Sequence, residues 1–280
     1  MALLKRAIRF ELKRMIYGHS FRLALFLGVA LAALQFATVP LPYAIADTWK
    51  YWREGLKGAY PPSLFNTWIG MTSYSIYSTI YYYLLPLLCC LPCATRMGSD
   101  IQNGYAVQAA TRSTKKDWMA ASLIANLIGA CLITLIPQAV NLLSTALVVP
   151  AYRPLIAALT FPLSPNMMGT ELFYANPLLY TAAYAVLDVL IVSSMATLAQ
   201  CLCVFGVTAK VALVVPFCLS LGSAFMLGTT QYAGYVPSSL LAPHQFGFVN
   251  AALPSAALYA GLLLAGVIGM CIRKDRLDLL

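Results

Sequence analysis

Charge is scarce in this chain: 10% of its 280 residues are Asp, Glu, Lys or Arg, against roughly 25% in soluble domains. With so little charge, no ordinary water-soluble surface can be assembled, and a soluble globular fold is excluded. Only nine residues are acidic, and His19 and His244 are the only histidines. The apolar segments therefore hold no paired carboxylates, no metal-ligand cluster and no Ser-His-Asp set, which leaves little room for catalysis. There is no Gly-x4-Gly-Lys run to cradle nucleotide phosphates. Also missing are an internal three-plus-three repeat and matching broken helices, both common in secondary transporters. The eight cysteines (Cys89, Cys90, Cys93, Cys131, Cys201, Cys203, Cys218 and Cys271) lie in or beside apolar runs, which does not suit an extracellular disulfide framework. Cys90-Leu-Pro-Cys93 has redox spacing but lacks the electropositive setting that activates a thiol.

What the chain does have is apolar length. Hydrophobic residues make up 61% of it, and the mean hydropathy is +0.77. Crossing the hydrocarbon takes about 20 apolar residues. Runs at 21–39, 76–94, 118–146, 178–205, 209–228 and 252–272 meet that requirement and predict an all-α polytopic membrane protein, one domain over 1–280 with six transmembrane helices. The third run is about 28 residues, roughly 42 Å as a helix, so it must tilt or protrude. The first follows a long helical leader and reads as a retained anchor rather than a cleaved signal.

Orientation follows from the basic residues. Lys5, Arg6, Arg9, Lys13, Arg14, Arg22, Arg96, Arg112, Lys115, Lys116, Lys210, Arg273, Lys274 and Arg276 fall on the side of the N-terminus, while Lys50, Arg53, Lys57 and Arg153 fall on the other. Both termini are thus expected in the cytoplasm, and the net charge of +9 reports topology rather than nucleic-acid binding. Trp49, Tyr51, Trp52 and Trp68 in the first outer loop, with Tyr81, Tyr82 and Tyr83, are expected at headgroup level. Pro61 and Pro62 limit that loop to short helices near the surface.

Residues 1–20 are too charged to span. Leu3, Leu4, Ala7, Ile8, Phe10, Leu12 and Met15 form one helical arc, and Lys5, Arg9 and Lys13 recur on the other. This predicts an N-terminal amphipathic interfacial helix on the inner leaflet, turning near Gly18. Glu11 falls within the apolar arc and needs a partner, and Arg14 is the nearest. The loop at 97–117 predicts a short helix capped by Ser99 or Asp100 and running to about residue 110, with Ser113 or Thr114 capping the third span. A capped helix joined directly to a span can transmit a push.

The leader ending Glu11-Leu-Lys-Arg14, the six-span layout with a large first outer loop, and the stretch Asp100, Asn103-Gly104, Thr111-Arg112-Ser113 and Lys115-Lys116 together resemble the membrane (permease) subunits of type-2 ABC transporters of the bacterial exporter type. The resemblance implies that residues 1–20 are a connecting helix, with Glu11 and Arg14. It also implies a coupling helix in 97–117, with Asp100, Gln102, Asn103, Gly104, Tyr105, Thr111, Arg112, Lys115 and Lys116 facing the motor. The expected partners are cytoplasmic ABC ATPase subunits, which carry the ATP and magnesium, and a second permease subunit, identical or not. This chain would bind no cofactor itself and would work in the plasma membrane by alternating access on amphiphilic peptides, drugs or lipids. The family often has an acidic residue near Gln102 and Asn103, where this chain has amides.

Polar stripes mark the spans, because a polar group facing lipid has no water to pair with. Tyr180, Tyr184 and Asp188 line one face of the fourth span, and Thr134, Gln138, Asn141 and Thr145 one face of the third. Both stripes are expected to face inward, onto a translocation path or helix contacts, with Tyr184 a candidate partner for Asp188. An alternative is a secondary transporter with Asp188 as its coupling-ion site. Ala257, Gly261, Ala265 and Gly269 form a small-residue seam for helix packing. Residues 229–251, rich in Gly and Pro, read either as a re-entrant segment at the outer edge or as a surface loop.

Overall fold

The computed structural model describes residues 2–45, 62–72, 74–112, 114–154, 167–244 and 252–273, without the side chains of residues 2, 3, 107, 110–112, 252 and 273. All regular elements among these residues are helical. They are α1 (Ala2–Ile16), α2 (His19–Thr38), α3 (Pro40–Ile45), α4 (Leu64–Thr67), α5 (Ile76–Gln102), α6 (Tyr105–Arg112), α7 (Lys115–Val148), α8 (Thr170–Ala175), α9 (Pro177–Val204), α10 (Ala209–Leu227), α11 (Pro237–Leu241) and α12 (Ala252–Arg273). Six are long and apolar enough to cross a membrane: α2 continued by α3, then α5, α7, α9, α10 and α12. This is the pattern of a multi-pass membrane protein.

Local chemistry sets the boundaries. Thr114 accepts from the Asp117 amide at 3.1 Å and starts α7, while Asn176 followed by Pro177 starts α9. Two turns use glycine in the left-handed region, Gly104 at φ 68° between α5 and α6 and Gly206 at φ 89° between α9 and α10. α7 has 34 residues, about 51 Å at helical rise, which is longer than the roughly 30 Å of hydrocarbon.

α5 and α9 form the centre. α9 packs on α5, α7, α10 and α12, and α2 packs on α5 and α7. α9 can be central because its buried faces carry small side chains such as Ser193, Ser194, Ala196, Thr197 and Ala199, which let neighbouring backbones approach. α1 lies along the first half of α7, where Gly129 leaves room for the Met15 side chain.

The structure corrects several expectations. The second span does not end at residue 94: α5 runs on to Gln102, and Ser99 and Asp100 lie inside it instead of capping the next helix. Arg96 and Asp100 fail to end the helix because both find partners inside the protein; the break comes at Asn103-Gly104. Trp68, Tyr81 and Tyr82 are buried against other helices rather than facing outward, and Tyr81 donates to the Thr134 carbonyl at 3.1 Å. Phe10 leaves the apolar arc of α1 and is 54% exposed. In α12, Ala257, Gly261 and Ala265 are exposed and a side chain at Gly261 would meet open space; only Gly269 of that seam meets a neighbour, Cys201. The face that packs on α9 is instead Ser255, Tyr259, Gly266 and Met270.

The segment after Pro62 is not a surface helix either. Leu64, Phe65, Trp68, Ile69 and Met71 are buried, so its backbone must find partners within the protein. Gln35 donates to the Thr67 carbonyl at 2.9 Å, Asn141 accepts from the Ile69 amide at 2.8 Å, Ser78 donates to the Ile69 carbonyl, and the His244 ring donates Nδ1–H to the Gly70 carbonyl at 3.1 Å. The segment 236–244 folds inward beside it, with Val236, Leu240, Leu241 and His244 buried. Trp49, Tyr51, Trp52, Pro61 and residues 245–251 and 274–280 lie outside the described residues.

Candidate functional site

α1 turns Glu11 onto α7 and buries it. A carboxylate placed there requires positive charge and donors around it. Arg14, one turn further, donates to both Glu11 oxygens at 3.3 and 3.2 Å, and its guanidinium also reaches the two Asp100 oxygens at 3.2 and 2.5 Å. Tyr105, the first residue of α6, donates its hydroxyl to Glu11 at 3.2 Å, and the Arg14 guanidinium sits 4.0 Å from the centre of its ring. Arg96 on α5 lies 3.9 Å from the Glu11 carboxylate. It also donates to the Glu11 carbonyl at 3.1 Å and to the carbonyl and hydroxyl of Ser122 at 3.2 and 3.1 Å.

The network continues inward. Gln200 on α9 donates to the Ser122 hydroxyl at 3.0 Å and accepts from Asn126 at 3.0 Å. Two carboxylates and two guanidinium groups thus balance at the core of a connected network that ties α1, α5, α6, α7 and α9 together. Burial opposes the Arg14 charge, but the bond to Asp100 and the two carboxylates outweigh it and hold the guanidinium above its ordinary range. Burial, and after it the charge of Glu11, pushes the Tyr105 hydroxyl up.

The structure divides the residues expected to face a motor. Asp100 and Tyr105 join Glu11 and Arg14 inside. Gln102 and Asn103 are exposed at the turn, with Asn103 donating to Ser99 at 3.0 Å, and Gly104 makes the turn itself. Lys116 is exposed and Lys115 half-buried at the start of α7. Thr111 and Arg112 close α6, their side chains outside the described set. Sequence reasoning missed Arg96, Ser122, Asn126 and Gln200. By charge counting Arg96 is only a topology marker, although a guanidinium and two carboxamides at the ends of or within long apolar runs each need an internal partner.

A second polar cluster lies deeper. Gln138 donates to Asp188 at 2.6 Å, so the bond from Asp188 runs to α7. The second carboxylate oxygen of Asp188 and the Tyr82 hydroxyl are buried without a hydrogen-bond partner among the described residues. Tyr180 and Tyr184 pack with ring centres 4.8 Å apart and planes tilted by 46°, and Tyr180 donates to the Pro243 carbonyl at 3.1 Å. Asn141, one turn from Gln138, donates to the Ala32 carbonyl at 2.8 Å and to Gln35 at 2.6 Å; its role is to hold α2 and the inward-folded outer segment. The cysteines of α5 are packing residues, with Cys93 donating to the Ala196 carbonyl at 2.9 Å.

Comparison of the chain with family models, curated proteins and solved structures finds no match.

Proposed function

We propose that this chain is the membrane-spanning subunit of an ATP-driven exporter, of the type-2 ABC kind that its sequence resembles, and that its ATPase is a separate polypeptide. The observation that carries the reading is the Arg14 fork between Glu11 and Asp100, with Tyr105 closing it. It makes α1, the end of α5 and the start of α6 one stiff unit, and the longest helix, α7, starts at Lys115, three positions after α6 ends at Arg112. A motor pressing on α6 from the cytoplasm would move α5 and α7 together, because only a few residues separate α6 from each of them in the chain. Through Ser122 and Gln200 the same push reaches α9, which carries Asp188 on its far half. Alternating access would then follow from the tilt of α5, α7 and α9 against a second subunit.

The test is co-purification and transport with a P-loop ATPase, sought first in the reading frames next to this gene. Gly104→Val puts a β-branched residue at φ 68°, at a cost of about 1–3 kcal/mol, and should displace α6. Together with Arg112→Glu it should reduce ATPase capture and transport, while Gly261→Ala should change neither. Unaltered capture and transport in both variants, or cargo moved by the purified chain with no ATPase, would sink the reading. A secondary transporter with Asp188 as its ion site is the competing reading, favoured by the unpartnered Asp188 oxygen; that outcome is transport driven by an ion gradient alone.

A further inference from the structure

An open groove of about 540 Å³, lined by His19, Ser20, Arg22, Leu23, Phe26 and Leu91, lies where α1 gives way to α2, between α2 and α5. We propose that it is a binding site for one anionic glycerophospholipid, with the phosphate at Arg22 and the first turn of α2 and the acyl chains along Leu23, Phe26 and Leu91. This inference stands apart from the transport reading and requires only that α2 crosses a membrane.

His19, Arg22, Leu23 and Phe26 follow the i, i+3, i+4, i+7 spacing that places side chains on one helix face. The face changes from polar to apolar within a single turn. One turn rises about 5.4 Å, close to the roughly 5–8 Å depth of one headgroup layer. At the polar end Arg22 is exposed and has no carboxylate partner among the described residues. Its Nη2 donates to His19 Nδ1 at 3.2 Å. Because a guanidinium only donates, the His19 ring then carries its proton on Nε2, which adds a second donor. α2 begins at Gly18 with no side-chain cap, so the amides and partial positive charge of its first turn also remain for an anion.

At the apolar end Leu23 is 53% and Phe26 68% exposed, a wall that a free phosphate would not use and an acyl chain would. The exposed Lys5, Arg6, Arg9 and Lys13 of α1 draw anionic lipid toward this end of the protein. They do not line the groove.

The test measures lipid retained by the purified full-length protein in detergent, by native mass spectrometry. The probes are phosphatidylglycerol, phosphatidylcholine, and inorganic phosphate as competitor. Arg22→Gln should lower retained phosphatidylglycerol about tenfold, the loss of one charge-assisted contact, whereas Lys13→Gln, which removes the same charge from α1, should not. Leu23→Gln should lower it with the charge intact, and phosphatidylcholine should be retained poorly by every form. Equal losses in Arg22→Gln and Lys13→Gln would overturn the proposal in favour of a diffuse basic field. Displacement of the lipid by inorganic phosphate, or indifference to Leu23→Gln, would overturn it in favour of a simple phosphate site. Both arginine and lysine positions are exposed, and gel filtration of each variant verifies folding. If Arg22→Gln does not fold, Arg22→Lys takes its place, with partial retention expected and full retention overturning the placement of the phosphate on the Arg22 guanidinium.

Discussion

Replacing Asp100 by Asn and Arg14 by Gln, singly and together, measures how firmly α1 is held to α5. The two side chains meet through a fork, at 2.5 Å between Nη2 and Oδ1 and 3.2 Å between Nη1 and Oδ2. Two unit charges roughly 4 Å apart attract by about 4 kcal/mol at an effective dielectric of 20. Arg14 keeps 28% of its side chain exposed while Asp100 keeps 4%, so solvent screening should reduce the net coupling to about 2 kcal/mol. The single substitutions should not be equal. Asp100→Asn leaves Arg14 paired with Glu11 and should cost about 2 kcal/mol, the worth of a charge-assisted bond. Arg14→Gln leaves two buried carboxylates, with Arg96 3.9 Å from Glu11 as the remaining counter-charge, and should cost about 3–5 kcal/mol. The assay is reversible unfolding in mixed micelles, combined into a double-mutant cycle. Amide exchange over residues 105–112 should accelerate, and over residues 62–72 it should not. A coupling under about 0.5 kcal/mol, the range of exposed pairs, would refute the idea that this cluster makes a stiff unit.

Other outcomes follow from the same geometry. Gly98→Ala places a methyl 2.5 Å from the Ala209 methyl and should destabilise by about 1–3 kcal/mol, while Gly261→Ala, facing open space, should be neutral by thermal denaturation. Burial holds the His244 imidazole below its ordinary range; the unfolded chain therefore takes up the proton first, and the contribution of His244 to stability is full above about pH 6.5 and lost as pH falls below it. His244→Gln should flatten that part of the pH–stability curve. Asp188→Asn keeps the shape that bonds Gln138 and should change stability by less than about 1 kcal/mol, yet it should impair transport if the deep cluster lies on the path; unimpaired transport would confine it to packing.

Sequence alone determined the number of membrane-length helices and most of their ends. The apolar runs at 178–205 and 209–228 became helices Pro177–Val204 and Ala209–Leu227, because backbone in hydrocarbon must satisfy its own hydrogen bonds and composition by itself announces that demand. It also flagged Glu11 as a misfit on an apolar face and proposed Arg14 beside it, a contact between neighbours on one helix. What it could not supply was anything joining elements distant in the chain. That Arg14 also grips Asp100, 86 residues away, that Arg96 serves Glu11 and Ser122, and that Asp188 binds Gln138 were decided by which faces the tertiary packing brought together. The same packing turned the small-residue seam of α12 outward and drew residues 62–72 inward. Inside a membrane protein, periodicity marks a polar face as buried, and only the arrangement of the other helices says against what.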